Sequence, residues 1–125
     1  MSKLLTDNEA TGKAKEVFDE LREKMGMVPN FFRAQAAVDP EWTAINLSRW
    51  KHIMNNERKL DRKTKELIAL TVSLVNNCEY CCMAHEGAAK MAGASDEELN
   101  ELRQVVELFQ SFNVIADSLN VPCEV

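Results

Sequence analysis

The sequence is poor in the residues that interrupt helices and in the segments that mark secreted or membrane proteins. Four glycines and three prolines among 125 residues are too few turn formers for a β-sandwich or a disordered chain. No apolar run approaches the roughly 18 residues of a membrane span, and the N-terminal MSKLLTDNEATGK lacks the apolar core of a secretory signal. These absences favour a soluble, cytoplasmic, helical protein.

The chain also lacks a surplus of basic residues. Fifteen Lys and Arg stand against 20 Asp and Glu, a formal net charge of -5. No positive field is therefore available for nucleic-acid phosphates or anionic lipid, and we expect neither nucleic acid nor a membrane as a partner. The length predicts a single domain over residues 1–125.

Helical periodicity extends over nearly the whole chain. Apolar residues recur at spacings of three and four, with no alternating strand pattern. The predicted helices cover about 7–25, 31–38, 39–55, 61–75, a cysteine-bearing segment to 92, and 96 almost to Pro122. Because the last segment is long, we expect a break near residues 110–113. The sequence thus predicts an all-α domain of six or seven helices.

Local signals define several helix ends and faces. Asp39, Asp61 and Ser95 are expected N-caps, the last within a capping box. The helix from Asp61 is apolar nearly all round, which predicts burial on several sides, including a subunit interface. In the preceding helix the expected buried residues are Trp42, Ile45, Trp50 and Ile53.

The chemically reactive residues lie on two consecutive predicted helices. Glu66 interrupts the apolar helix, and after a short turn Cys78-x-x-Cys81 is followed four residues later by His85. On a helix, Cys78, Cys81 and His85 fall within a sector of about 60°. If the two helices form an antiparallel hairpin, Glu66 lies about one turn from His85. This arrangement predicts a Glu–His–Cys proton relay.

These residue types suit a thiol redox cycle. A helix N-terminus favours the thiolate at Cys78 and, less strongly, at Cys81. His85 can accept the proton of Cys81, and Glu66 can orient the imidazole. A cysteine pair at i, i+3 can close to a disulfide, so a thiol oxidised to sulfenic acid has a resolving partner nearby.

Other interpretations of these residues stay open. Zinc on Cys78, Cys81, Cys82 and His85 is disfavoured, because four ligands on two turns of one helix cannot easily surround the ion. No metal or other cofactor is therefore expected. Glu66 also fits a purely structural ion pair in a buried helix.

The neighbouring residues are assigned less specific roles. Cys82 is expected to pack as a small side chain, although its position leaves it available for mispairing or oxidation. Tyr80 is expected to pack, with its hydroxyl reaching the site. Cys123 has no local partner, and His52 fits a solvated or capping histidine.

The chain resembles the carboxymuconolactone decarboxylase and alkylhydroperoxidase D-like family over about residues 26–102. The residues that carry the resemblance are Glu66, Cys78-Glu79-Tyr80-Cys81, His85, Gly93 and Ser95. Upstream, the resemblance is to the peroxidase-related branch, through Val28-Pro29-Asn30-Phe31 and Asp39-Pro40-Glu41. It implies an alkylhydroperoxidase D-like helical bundle with a central antiparallel helix hairpin, assembled as a homotrimer or homohexamer.

The resemblance also implies an antioxidant activity, the thiol-dependent reduction of organic hydroperoxides without haem or metal. Cys81 would attack the peroxide, Cys78 would resolve it and exchange with a dithiol or thiol-protein reductant, and Glu66 with His85 would relay protons. Two departures matter. The best-studied alkylhydroperoxidase D proteins carry a second histidine between the two cysteines, where this chain has Tyr80. Decarboxylase members lack the cysteine pair, so its presence argues against lactone decarboxylation.

Two further hypotheses use the same residues differently. Glu66 and His85 would carry out proton transfer on a carbon acid, with the cysteines purely structural. Alternatively, the protein would be a non-enzymatic redox sensor or a zinc-stabilised oligomer.

Overall fold

In this computed structural model, which describes residues 1–124, the chain forms six helices and no strand within those residues. They are α1 (Gly12–Met25), α2 (Asn30–Val38), α3 (Pro40–Ile53), α4 (Arg62–Val75), α5 (Glu79–Met91) and α6 (Asp96–Ser118). The all-α prediction is confirmed. Over the same residues, no helix combines the length and the apolar character needed to cross a membrane.

The helix ends follow the capping signals of the sequence. The Asp39 carboxylate accepts hydrogen bonds from the backbone N–H groups at the start of α3, and Asp61 accepts one from Thr64 at 2.8 Å. Ser95 and Glu98 form the predicted reciprocal capping box. α1 begins later than expected, at Gly12, because Thr6 and Glu9 hydrogen-bond to each other in a separate turn.

α6 runs unbroken over 23 residues. The break expected near residues 110–113 is therefore wrong. The helix contains no glycine or proline, and its length alone gives no physical reason for an interruption.

The chain divides into two compact units, Met1–Met54 and the segment from Asn55 onward. That residues 1–125 act as a single domain stays a prediction. In the first unit α3 packs against both α1 and α2. The core of this unit is formed by buried apolar side chains, among them Val17, Phe18, Leu21, Phe32 and Leu47.

The expected buried face of α3 is wrong at three of its four positions. Trp42, Ile45 and Ile53 are exposed, and Trp50 packs partly against the core. The buried residues of α3 are Thr43 and Leu47. Thr43 tolerates burial because its hydroxyl donates to the Asp39 carbonyl at 2.9 Å.

In the second unit α4 and α5 form the predicted hairpin, and α6 packs against α4. Asn77 adopts a left-handed φ of 55° in the turn, a conformation that asparagine tolerates well. The core consists of Leu70, Ala89, Ala94 and Leu99. Within the single chain α4 is not buried on all sides, since Ile68, Val72 and Val75 are exposed.

Candidate active site

Cys78 lies at the N-cap of α5 and not within the helix. Its Sγ accepts a hydrogen bond from the Cys81 backbone N–H at 3.3 Å. The sulfur therefore faces the unpaired amides of the first helical turn, where the helix dipole favours negative charge. A stabilised thiolate at Cys78 in the reduced protein stays a prediction.

A disulfide joins Cys78 to Cys81. Both cysteines are partly exposed, at the N-terminal end of α5. The zinc interpretation would require these two sulfurs as separate ligands. Among residues 1–124, no group of three or more His, Cys, Asp or Glu side chains is placed to hold a metal ion.

Glu66 and His85 are in direct contact across the hairpin. The distance from Glu66 Oε2 to His85 Nδ1 is 2.8 Å. The sequence suggested a separation of about one helical turn, and the packing of α4 on α5 closes it to a hydrogen bond. His85 follows Cys81 by four residues on α5, which places both on one side of that helix.

Arg62 is a third member of the cluster formed by Glu66 and His85. It was not among the site residues expected from the sequence. Arg62 Nε donates to Glu66 Oε1 at 2.7 Å, while Glu66 itself is almost fully buried, with 2% of its side chain exposed. The i, i+4 spacing of Arg62 and Glu66 on α4 was the available signal. Each oxygen of the buried carboxylate thus has its own donor.

These contacts fix the ionisation of Glu66 and the tautomer of His85. Burial raises the pKa of the Glu66 carboxyl and is the largest single influence on it. The hydrogen bonds from His85 and Arg62, with the charge of Arg62, together outweigh burial and hold that pKa below its usual value. An ionised carboxylate only accepts, so Nδ1 of His85 is the donor in this contact. When the ring is neutral, Nε2 is its unprotonated nitrogen.

Comparison with known proteins places the chain in a family. The sequence profile of the carboxymuconolactone decarboxylase family matches residues 40–122, most of the chain. The protein belongs to the carboxymuconolactone decarboxylase family. This confirms the resemblance noted in the sequence.

The relatives of this family member include proteins named for peroxide reduction. The crystal structure of the alkylhydroperoxidase AhpD core from Rhodospirillum rubrum superposes with a TM-score of 0.93 at 30% identity, covering 99% of this chain and 93% of that chain. The alkyl hydroperoxide reductase AhpD of Streptomyces griseus is 28% identical over 101 residues, 80% of this chain and 56% of the relative. A Paracoccus denitrificans protein, uncharacterized protein 4 in cox locus, is 32% identical over 69 residues, 55% of this chain and 58% of the relative.

The structural match confirms the alkylhydroperoxidase D-like helical bundle. The chain spans little more than half the length of the two sequence relatives, 56% and 58%. The activities of those whole proteins are therefore considered for this family member only as proposals.

The remaining candidate residues differ in how far they are exposed. Cys82 is partly buried and packs against the second core, on the same face of α5 as Ala89. Tyr80 is 45% exposed, so it is not a buried residue of the single chain, and a role for its hydroxyl at the site stays a prediction. Its position nine residues before Ala89 is half a rotation away at about 100° per residue, which turns it from the core. Cys123 and His52 are exposed.

Proposed function

We propose that this family member is a thiol-dependent hydroperoxide reductase that cycles between a Cys78–Cys81 dithiol and the disulfide. The observation that carries the proposal is the disulfide at the start of α5, on the same hairpin as the hydrogen-bonded Glu66 and His85. Two of the similar proteins bear names for hydroperoxide reduction, which supports the substrate class. An antioxidant role follows from that chemistry.

In the first step the reduced protein attacks the peroxide. His85 Nε2 accepts the proton of the Cys81 thiol, and the Glu66 carboxylate stabilises the resulting imidazolium. The thiolate sulfur bonds to the terminal oxygen of the hydroperoxide while the O–O bond breaks. The alkoxide leaves as an alcohol, taking the proton from His85, and Cys81 becomes a sulfenic acid.

In the second step Cys78 resolves that intermediate. Its sulfur attacks the sulfur of Cys81, the S–O bond breaks, and the oxygen leaves as water with the proton of the Cys78 thiol. The product is the disulfide form described above. A dithiol or thiol-protein reductant then returns two electrons and two protons by exchange at Cys78, the sulfur at the helix end.

The test is turnover of cumene hydroperoxide with dithiothreitol as the reductant. Cys81→Ser is expected to abolish turnover, because the attacking sulfur is gone. Cys123→Ser is the matched control, since this exposed cysteine lies outside the site, and it should keep full activity. Mass spectrometry of the reduced protein after one equivalent of peroxide should show loss of two hydrogens at Cys78 and Cys81. Turnover that persists in Cys81→Ser contradicts the proposal.

A second candidate function is proton transfer on a carbon acid. The direct contact of Glu66 with His85 favours it, since that pair needs no cysteine to act as a base. Alkylation of the reduced thiols separates the two functions, because carbon-acid chemistry should survive it and peroxide reduction should not. A redox sensor, by contrast, would form the disulfide once without sustained turnover.

We further propose that the protein is a homo-oligomer, a trimer or a hexamer. Exposed apolar side chains cover parts of α4 and α6, including Ile68, Val72, Phe109 and Phe112. Isolated monomers rarely expose such groups together. Sedimentation equilibrium measures the mass, and a monomer would contradict the proposal. A cytoplasmic location fits as well, because a reducing compartment returns the disulfide to the dithiol.

A further inference from the structure

Arg62 is the residue of this site to which neither the sequence motif nor the proposed steps give a role. We infer that Arg62 is a positioning residue: it holds the Glu66 carboxylate ionised and fixed, so that His85 offers a free Nε2. The inference rests on the proposed function in one respect, that His85 is the base there. The arrangement of Arg62, Glu66 and His85 itself does not depend on the reaction.

The geometry assigns one partner to each carboxylate oxygen. Oε1 of Glu66 accepts from Arg62 Nε at 2.7 Å, and Oε2 contacts His85 Nδ1 at 2.8 Å. With both oxygens engaged, the plane of the carboxylate cannot rotate without losing a bond. Arg62 is 32% exposed and Glu66 2%, so the arginine lies at the edge of the unit and its partner inside.

Arg62 is the cation hydrogen-bonded to this carboxylate. The other Lys and Arg side chains on α4, α5 and α6 have partners of their own. They pair as Lys63 with Glu98 on α6, Lys65 with the Asn55 carbonyl, and Arg103 and Lys90 with Glu86 on α5. Removing Arg62 therefore leaves Glu66 with His85 as its hydrogen-bonding partner.

The consequence concerns the proton that Glu66 and His85 share. Without Arg62, the pair of Glu66 and His85 holds an added proton more strongly, because a nearby positive charge is gone. This is true whether the proton sits on the carboxylate or on the imidazole ring. The pair then becomes protonated at a higher pH, and a ring in the imidazolium form has no free Nε2. A neighbouring opposite charge moves such midpoints by about 1 to 3 pH units. Because Arg62 is partly exposed, the lower figure is expected.

The test is an NMR titration of the imidazole ring signals in the oxidised protein. The chain has two histidines, so exposed His52 is an internal reference. Arg62→Met should raise the titration midpoint of the His85 signals by about one pH unit. Arg62→Lys, which restores the charge, should return the midpoint toward the wild-type value. Lys63→Met is the matched control, because it removes the adjacent cation of α4 without touching Glu66.

An unchanged His85 midpoint in Arg62→Met overturns the inference. An equal shift of the His85 midpoint in Lys63→Met also overturns it, because any positive charge on α4 would then have the same effect. A failure of Arg62→Lys to restore the midpoint overturns it as well. Arg62→Gln provides a second neutral variant if Arg62→Met does not fold. This readout needs no turnover and therefore stands even if the protein proves not to reduce peroxides.

Activity gives a second, separate readout. If the protein reduces hydroperoxides, its rate of dithiol oxidation should fall at low pH. In Arg62→Met this fall should occur about one pH unit higher than in the wild type. That corresponds to about a tenfold lower rate below the midpoint. A wild-type protein without turnover would refute the proposed function and leave the NMR result to decide the role of Arg62.

Discussion

Replacing Glu66 with glutamine keeps the volume of a buried side chain and changes only the hydrogen-bonding groups at its end. The carboxylate accepts from two donors, Arg62 Nε and His85 Nδ1. The introduced amide has one accepting oxygen and one donating nitrogen. Because the guanidinium of Arg62 is always a donor, the amide oxygen must stay with it and the amide N–H must face His85.

This reversal changes the tautomer of His85. Its Nδ1 has to accept a hydrogen bond from the introduced amide, so the ring proton moves to Nε2. In the proposed mechanism that nitrogen accepts the Cys81 proton. Glu66→Gln should therefore remove the base while leaving the ring in place.

The expected effect of Glu66→Gln on the rate is larger than its expected effect on stability. A hydrogen bond to a charged group contributes about 1.5–3 kcal/mol and a neutral one about 0.5–1.5. The bond to His85 loses its charged partner, whereas the bond from the Arg62 guanidinium keeps one, so the substitution should cost about 1–2 kcal/mol in the free energy of unfolding at pH 7. Loss of a general base lowers a rate by about 10²- to 10⁴-fold. The rate effect should thus far exceed what a change in stability explains.

The assay is quenched-flow oxidation of the dithiol form by an organic hydroperoxide, with free thiols alkylated and counted by mass spectrometry. Urea unfolding measures stability in parallel. Glu98→Gln is the matched control: Glu98 is also a paired carboxylate of the second unit, and glutamine suits its place in the capping box. A Glu66→Gln rate within a few-fold of the wild type would refute the reasoning. An equal loss in Glu98→Gln would point to a general effect of lost charge.

Two further predictions concern stability. Because the hydrogen bonds from His85 and Arg62 hold the pKa of Glu66 below its usual value despite burial, the charge of Glu66 stabilises the fold above that usual value. This contribution is lost as the pH falls through the pKa of the folded state. Urea unfolding at pH 7 and pH 3 should show the advantage of the wild type over Glu66→Gln shrinking in acid, and an advantage that grows would contradict the assignment. Leu99 is 1% exposed in the core of the second unit, so Leu99→Ala should cost about 2–5 kcal/mol of unfolding free energy. Leu108→Ala, at an exposed position of the same helix, should cost much less, and equal losses would show that Leu99 is not a core residue.

The helix starts were predictable because capping is a local interaction. Asp39, Asp61 and Ser95 each bond to a backbone N–H two or three residues ahead. No distant part of the chain is needed for such a bond. The positions of α3, α4 and α6 could therefore be predicted from short stretches of sequence.

The errors occurred where a prediction depended on what lies beside a helix. The buried face of α3 was assigned from the most apolar residues, whereas packing against α1 and α2 buries Thr43 and Leu47. Hydrophobicity alone does not say which side of a helix meets its neighbours. Arg62 was missed for a related reason, since its spacing from Glu66 gains meaning only once Glu66 is known to be buried beside His85.

By itself the sequence determined that Cys78 and Cys81 can pair at the start of a helix and that His85 follows on the same face. These relations depend only on the helical period within one segment. The tertiary structure alone decided that Glu66 touches His85 directly and that Arg62 engages the other carboxylate oxygen. Glu66 and His85 are 19 residues apart, and their contact depends on how α4 packs against α5. That packing is a property of the whole core, which no local pattern specifies.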